Sequence, residues 1–344
     1  LYIMNQKGEI KGCLASDLKY RNDDLTGWFC PIHRHVYIAR HDGSLKSGIC
    51  GEVSIATADS PWWDIESMSI SWQDDFHCAF KRKTCACGTD LMVPKAVNKE
   101  HYDKFLTKCN SIDLNQVEHG ISDDDIILAF GRAKHVTDNR FELHLDWGKK
   151  CNFDCSYCPP TVHDNYSPFI SLDKVRYLFD LLGLREHVGE RSLTITGGEP
   201  TISKDLKELV NISKNDYHMN EIRVNTNGTG SRATYLWLID HGVRSDITIH
   251  PEFTTRKILD KLLGIKDAAI KANTGEMIKF KCMGKPDSEF SLEVKQIVEN
   301  YFQNPEVCPI EYVPIYLRGT NRIVNSLSQI KDEVVYIDDY KQDK

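Results

Sequence analysis

The stretch "CNFDCSYC", Cys151 to Cys158, decides how the rest of the chain reads. It holds Cys151, Cys155 and Cys158 within one short loop-sized run, with Tyr157 just before the last thiol. Structural zinc sites draw on paired C-x-x-C knuckles and close four ligands. A single C-x-x-x-C-x-x-C supplies three. Three thiolates suit three irons of a cubane cluster, which leaves one iron open to a ligand that is not protein. The plainer alternative is a three-cysteine zinc site.

The triplet directly follows a β-like run, "FELHLDW" (141–147), and that run is the first of a series. "SLTIT" (192–196), "IRVNT" (222–226), "DITIH" (246–250), "MIKFKC" (277–282) and "IEYVPIYL" (310–317) follow, separated by helix-like segments such as "LDKVRYLFDLLG" and "TTRKILDKLLGIK". Strands alternating with helices predict an α/β fold with a parallel sheet. Curved, the sheet becomes a partial (β/α)6 TIM-like barrel, with its chemistry at the C-terminal strand ends. Period-2 alternation turns Leu143, Leu145, Leu193, Ile195, Ile247, Ile249, Ile278 and Phe280 toward the helices. Glu142, His144, Asp146, Thr194, Thr196, Arg223, Asn225, Thr248, His250, Lys279 and Lys281 then face the other way. Closed barrels are filled by branched apolar side chains, so a polar face suggests an interior holding a polar ligand; the alternative is open solvent.

The chain has 344 residues, which suits about two domains. Its 41% hydrophobic and 27% charged residues are an ordinary globular composition. A net charge of −7 argues against bulk nucleic-acid binding while permitting a local basic groove. No apolar run reaches the roughly 18 residues of a membrane helix, and "LYIMNQKGEIKG" lacks a signal-peptide core. The expectation is a cytoplasmic protein without a membrane partner, its oligomeric state open. Twelve cysteines in close clusters point to metal or redox chemistry rather than disulfides.

Six of those thiols, Cys13, Cys30, Cys50, Cys78, Cys85 and Cys87, fall in the N-terminal region. There "LYIMNQKGEIKGC" (1–13) and "VYIARHDGSLKSGIC" (36–50) each read as strand, glycine turn, strand, cysteine, with Gly8 and Gly43 at the turns. Residues 97–109 read as a helix. The polar stretch after it, with "DDD" at 123–125 as a solvated helix start, reads as the domain junction. The expected layout is a small cysteine-rich, hairpin-containing domain (1–110), a linker (111–139), the barrel (140–320) and a charged tail (321–344).

The barrel's motifs resemble those of the radical S-adenosylmethionine (SAM) superfamily. The resemblance rests on the cysteine triplet with Tyr157, on "GGEP" (Gly197–Pro200) after the second strand, on "NTNG" (225–228) ending the third, and on "TIHPE" (248–252) ending the fourth. It implies a [4Fe–4S] cluster on Cys151, Cys155 and Cys158, with SAM filling the open iron. It implies SAM contacts from Tyr157, Thr196, Gly197, Gly198, Glu199, Pro200, Asn225, Asn227, Thr248 and His250. It also implies reductive cleavage of SAM to a 5′-deoxyadenosyl radical that abstracts hydrogen from a peptide or nucleotide-type substrate, an amino-acid-modified nucleobase being another possibility, with an electron from a donor such as flavodoxin or ferredoxin. A non-catalytic iron–sulfur or electron-transfer protein on the same scaffold is the alternative. No catalytic side chain is singled out.

The N-terminal cysteines resemble the twitch or SPASM auxiliary domains of that superfamily, placed here before the barrel. Four of the six would hold a second [4Fe–4S] cluster, with zinc as the rival. His33 and His35 are ligand candidates or simply packed side chains. "FKRK" (80–83) is an anion dock or a solvated face, and "SPWW" (60–63) a substrate surface or buried packing. Lys279 and Lys281 would meet a substrate carboxylate or phosphate, or end a solvated strand. Cys282 points toward the helices rather than the barrel mouth, and Cys308 precedes the sixth strand.

Overall fold

The structure is a computed structural model and describes residues 2–13, 27–30, 36–47, 53–66, 94–122, 124–131, 141–158, 163–313 and 315. Cys50, Cys78, Cys85, Cys87, His33, His35, "FKRK" and the tail lie outside them. Two compact units emerge: Leu1–His144 with Asp180–Arg191, and Leu145–Phe179 with Ser192–Lys344.

In the first unit, both expected hairpins form. β1 (Tyr2–Asn5) pairs antiparallel with β2 (Ile10–Gly12), and β3 (Val36–Ala39) with β4 (Leu45–Ser47). Their turns use Gly8 and Gly43 at φ of 74° and 89°, a region open to glycine at no steric cost. β5 (Val53–Ala56) continues the second meander. After it, Trp62 of "SPWW" is fully buried and packs edge-on against Trp63, in keeping with core packing. β6 (Lys95–Ala96) and the helix α1 (Lys99–Ser111) follow, the helix capped by Asn98, whose side chain accepts the His101 N–H. Phe105, Tyr102 and Cys109 of α1 pack with Met4 and Phe29.

The described part of the stretch expected as a linker (111–139) includes a strand. β7 (Ile127–Gly131) lies between β1 and β6 in a four-stranded sheet of order β2-β1-β7-β6. Its run "ILAFG" is buried on both faces and shows no alternation, which hides a strand from a period-2 reading. The expected helix start at 123–125 is also corrected. Asp125 is buried, and its carboxylate accepts the Ser122 N–H (2.9 Å), the Asn5 amide (3.2 Å) and the Lys11 ammonium (3.0 Å).

In the second unit the strand–helix alternation is as read. β8 (Phe141–Asp146), which begins in the first unit, leads to α2 (Leu172–Leu181). β9 (Arg191–Thr196), α3 (Leu206–Asn215), β10 (Glu221–Thr226), α4 (Arg232–Asp240), β11 (Val243–Ile249), α5 (Arg256–Lys271), β12 (Ile278–Met283), α6 (Glu289–Phe302) and β13 (Ile310–Val313) follow. The six strands lie in sequence order, with parallel pairing from β9 through β13. Ser231, Thr255 and Ser288 cap α4, α5 and α6 by accepting backbone N–H groups. The apolar parity holds: Leu143, Leu145, Leu193, Ile195, Ile247, Ile249, Ile278 and Phe280 are buried. Cys282 shares that parity, and its sulfur lies 3.7 Å from Ser291 Oγ on α6. Cys308 is buried just before β13. None of the described helices is long and apolar enough to cross a membrane.

Asp125 offers a pH test of the first unit. Backbone donation from Ser122, then the Lys11 hydrogen bond, hold its carboxyl down at about 2 against an ordinary 3.8. A depressed folded-state value contributes stability above the ordinary range and loses it as pH falls through the folded value. Asp125→Asn should therefore lower the urea midpoint at neutral pH, and the gap to the parent should narrow between pH 4 and pH 2. A gap constant over that range would refute this role.

Candidate functional site

The cysteine loop leaves β8 at Trp147, a buried residue whose indole N–H donates to Ile170 O at 2.8 Å and whose backbone N–H donates to Thr196 O at 2.9 Å. These bonds fix where the loop starts. Cys155 is buried, while Cys151 and Cys158 are half-exposed. The Phe153 N–H donates to Cys151 Sγ at 3.4 Å, and the Asn227 amide stands 3.8 Å from the same sulfur. Burial pushes the Cys155 thiol up to about 12; a hydrogen bond from Tyr157 works against this, and Glu252 adds to it. Burial likewise raises Cys151.

The GGEP turn lies directly against this loop. Gly197 and Gly198 take φ of 88° and 42°, and a Cβ at either would collide with protein: at Gly197 with Asp146 Oδ1 and Gly148 O, at Gly198 with the carbonyls of Lys149 and Lys150. The resemblance implies SAM contacts from both glycines. In the structure the clearance admits the chain's own loop, and the Glu199 N–H closes the contact on Lys150 O at 2.8 Å.

Glu199 is fully buried. Its carboxylate accepts the Thr201 N–H (2.9 Å), the Thr201 hydroxyl, the Thr226 hydroxyl (2.6 Å) and the Asn227 N–H (2.5 Å). Burial raises its carboxyl despite these donors. The expected SAM contact thus has its acceptor capacity engaged by the chain, tying the end of β9 to the end of β10. Pro200 is buried and opens the short turn that Glu199 caps. Lys261, on α5, donates to Gly228 O (2.8 Å) and Gly230 O (2.6 Å) and holds the loop after β10 from below. Asn227 is engaged too, donating to Asn152 Oδ1 at 3.0 Å.

A third segment, after β11, grips the cysteine loop. Tyr157 OH lies 2.6 Å from His250 Nδ1 with the rings stacked, and Phe153 stacks on Phe253. Burial pulls His250 down to about 4 and drives Tyr157 upward. Glu252 accepts from Ser156 N–H (2.8 Å) and Ser156 Oγ (2.7 Å). Asn225, Thr196 and Thr248 remain half-exposed on the polar parity of their strands. Thr201, Thr226, Lys261 and Ser156 were not singled out from sequence. Thr226 and Ser156 lie inside the quoted motifs, and the need of a buried carboxylate for donors is the signal that points to Thr226.

The polar face below is a charge network. Arg223 contacts Glu221 at 2.6 Å, Arg244 contacts Asp246 at 2.8 Å, and Lys281 stands 3.6 Å from Asp246. Lys279 is exposed. Thr194 and Asp246 are 5% and 6% exposed, so this face is not open solvent there. Thr194 Oγ1 is buried without a hydrogen-bond partner.

Residues 146–273, which carry this whole arrangement of loops, match the Radical SAM superfamily. That region is similar to a radical SAM domain. Among curated proteins, "GTP 3′,8-cyclase" of Shewanella denitrificans is 34% identical over 101 residues, 29% of this chain and 27% of that protein. "Probable GTP 3′,8-cyclase" of Sulfurisphaera tokodaii is 34% identical over 154 residues, 42% of this chain and 45% of that protein. The chain thus spans less than half the length of these relatives. Among solved structures, anSMEcpe with bound AdoMet is 16% identical with a TM-score of 0.40, covering 54% of this chain and 52% of that one.

The donor set of the region 146–273 fits a [4Fe–4S] cluster. Three thiols share one loop, and N–H groups point at one of the sulfurs. A cubane spreads its three thiolates over three irons. Of the auxiliary candidates, Cys13 and Cys30 are described; both are buried, Cys13 among Ile3, Ile127 and Phe130.

Glu199→Gln should turn an amide N–H₂ toward buried donors and leave at least one unpaired, at a cost of about 1–3 kcal/mol. The thermal midpoint reads this directly, and an unchanged midpoint would contradict the carboxylate's role as the tie between the two loops.

Proposed function

We propose that this chain is a radical SAM enzyme acting on a nucleotide-type substrate. The observation that carries the reading is the three-thiol loop braced by GGEP, NTNG and TIHPE inside the region that matches the superfamily. Cys151, Cys155 and Cys158 are the cluster ligands. A cluster held there would supply the electron for reductive cleavage of SAM, the source of a radical for hydrogen abstraction. The chain's own work is placement. The Phe153 N–H and the Asn227 amide favour thiolate at Cys151, and buried Phe153, stacked on half-buried Phe253, packs beside the loop.

SAM is met by the half-exposed polar groups at the strand ends, Thr196, Asn225 and Thr248, with Gly197 and Gly198 beside them. Asn227, Pro200 and Glu199 serve SAM by holding those ends in place, and Tyr157 with His250 by holding the cluster loop. Substrate belongs over the polar face, where Lys279 and Lys281 offer cations and Thr194 an unpartnered hydroxyl. A nucleoside triphosphate suits those cations, and the curated relatives are named for GTP. The reading includes a reductant of the flavodoxin or ferredoxin kind, a reducing cytoplasmic setting, and an auxiliary metal domain drawn from Cys13, Cys30, Cys50, Cys78, Cys85 and Cys87.

Reconstituted without oxygen, the full chain should bind about four irons for the triplet, and about eight if the N-terminal thiols hold a second cubane. A Cys151/Cys155/Cys158→Ala variant should lose about four. With dithionite and SAM, the loaded protein should release 5′-deoxyadenosine, faster with GTP than with a dipeptide, and the triple variant should release none. A fully loaded protein that leaves SAM intact would sink the enzymatic reading; equal rates with GTP and dipeptide would sink the nucleotide preference.

A further inference from the structure

We propose that Glu252 is a positioning residue for the cysteine loop, holding the Cys155–Cys158 segment through Ser156 and setting the electron affinity of the cluster bound there. The inference rests on the radical SAM reading above and adds a role for a residue at the end of β11.

The geometry is a two-point grip. One carboxylate oxygen accepts the Ser156 N–H at 2.8 Å, and the other accepts the Ser156 hydroxyl at 2.7 Å. Hydrogen bonds to an ionised acceptor are roughly twice as strong as neutral ones. Ser156 follows Cys155 and precedes Tyr157 and Cys158, so fixing both its backbone and its side chain fixes the direction in which the flanking thiols leave the chain. The same two segments also meet through Tyr157–His250 and Phe153–Phe253, which pack the loop without bringing a formal negative charge.

The charge is the second part of the argument. The potential of an iron–sulfur cluster follows its local charge, hydrogen bonding and exposure. A carboxylate bonded to the residue between two ligating thiols opposes the addition of an electron and holds the potential low.

Geometry and charge separate by mutation. Ser156→Ala removes one of the two hydrogen bonds and leaves the carboxylate in place. Glu252→Gln keeps an acceptor of the same shape and removes the charge. Glu252→Ala removes both. The measurements are chelator-driven iron release and the cluster midpoint potential, taken by EPR-monitored titration of the reconstituted full chain without SAM. Ser156→Ala should release iron roughly tenfold faster, as loss of one charge-assisted bond implies, with its potential near the parent value. Glu252→Gln should shift the potential positive with a smaller change in release, and Glu252→Ala should show both effects.

Parent values of both quantities in Glu252→Gln and Glu252→Ala would overturn the proposal while leaving the radical SAM reading intact. A parent chain that takes up no triplet-dependent iron would overturn both. Circular dichroism melts of each variant separate these outcomes from simple misfolding, and Glu252→Gln keeps the test alive if Glu252→Ala does not fold.

Discussion

A carboxylate with no exposure to water holds the site together. Removing a charged carboxyl from solvent costs several kcal/mol unless hydrogen bonds surround it, and Glu199 is surrounded by Thr201, Thr226 and the Asn227 N–H. The donors come from two different loops. Neither loop can drift without stranding the charge, so the ends of β9 and β10 move as one piece. The cysteine loop is attached to that piece twice, through Lys150 O on the Glu199 N–H and through Asn152 on the Asn227 amide.

This explains why the site tolerates so much polarity. A closed barrel would be filled by branched aliphatic side chains. Here Glu221, Arg223, Arg244, Asp246 and Lys281 pair with one another on the polar strand face. Each charge has a partner of opposite sign, so the face is polar without an unbalanced buried charge at these positions. The hydrophobic contribution comes from the opposite parity, where Leu193, Val224, Ile247 and Phe280 lie under the helices.

Much of this was legible from residues alone. Strand parity needed only alternation, which is why the inward turn of Cys282 and the burial of Leu143 and Ile249 came out as read. The glycine turns of the two N-terminal hairpins needed only a position tolerant of positive φ. What escaped depends on which loops become neighbours. Gly197 and Gly198 signal a close approach, yet nothing in "GGEP" says that the approaching atoms are Asp146 Oδ1 and the Lys150 carbonyl. Glu199 reads as a ligand contact until Thr226, distant in sequence, is found beside it. β7 escaped because a strand covered on both faces carries no alternation, and Asp125 because a run of acids reads as solvated until Lys11 and Asn5 are placed against it.

The braces on the cysteine loop come from the ends of β9, β10 and β11, whereas Lys279, Lys281 and Met283 stand on β12, further along the sheet. Substitutions at separated sites that share no partner add nearly independently. Side chains on the polar face of β12 could therefore be exchanged at little cost to the braces on the cysteine loop, with Lys281 and its partner Asp246 on the neighbouring β11 as a charged contact between the two. The division separates the residues that hold the cysteine loop from those that set the chemistry of the polar face.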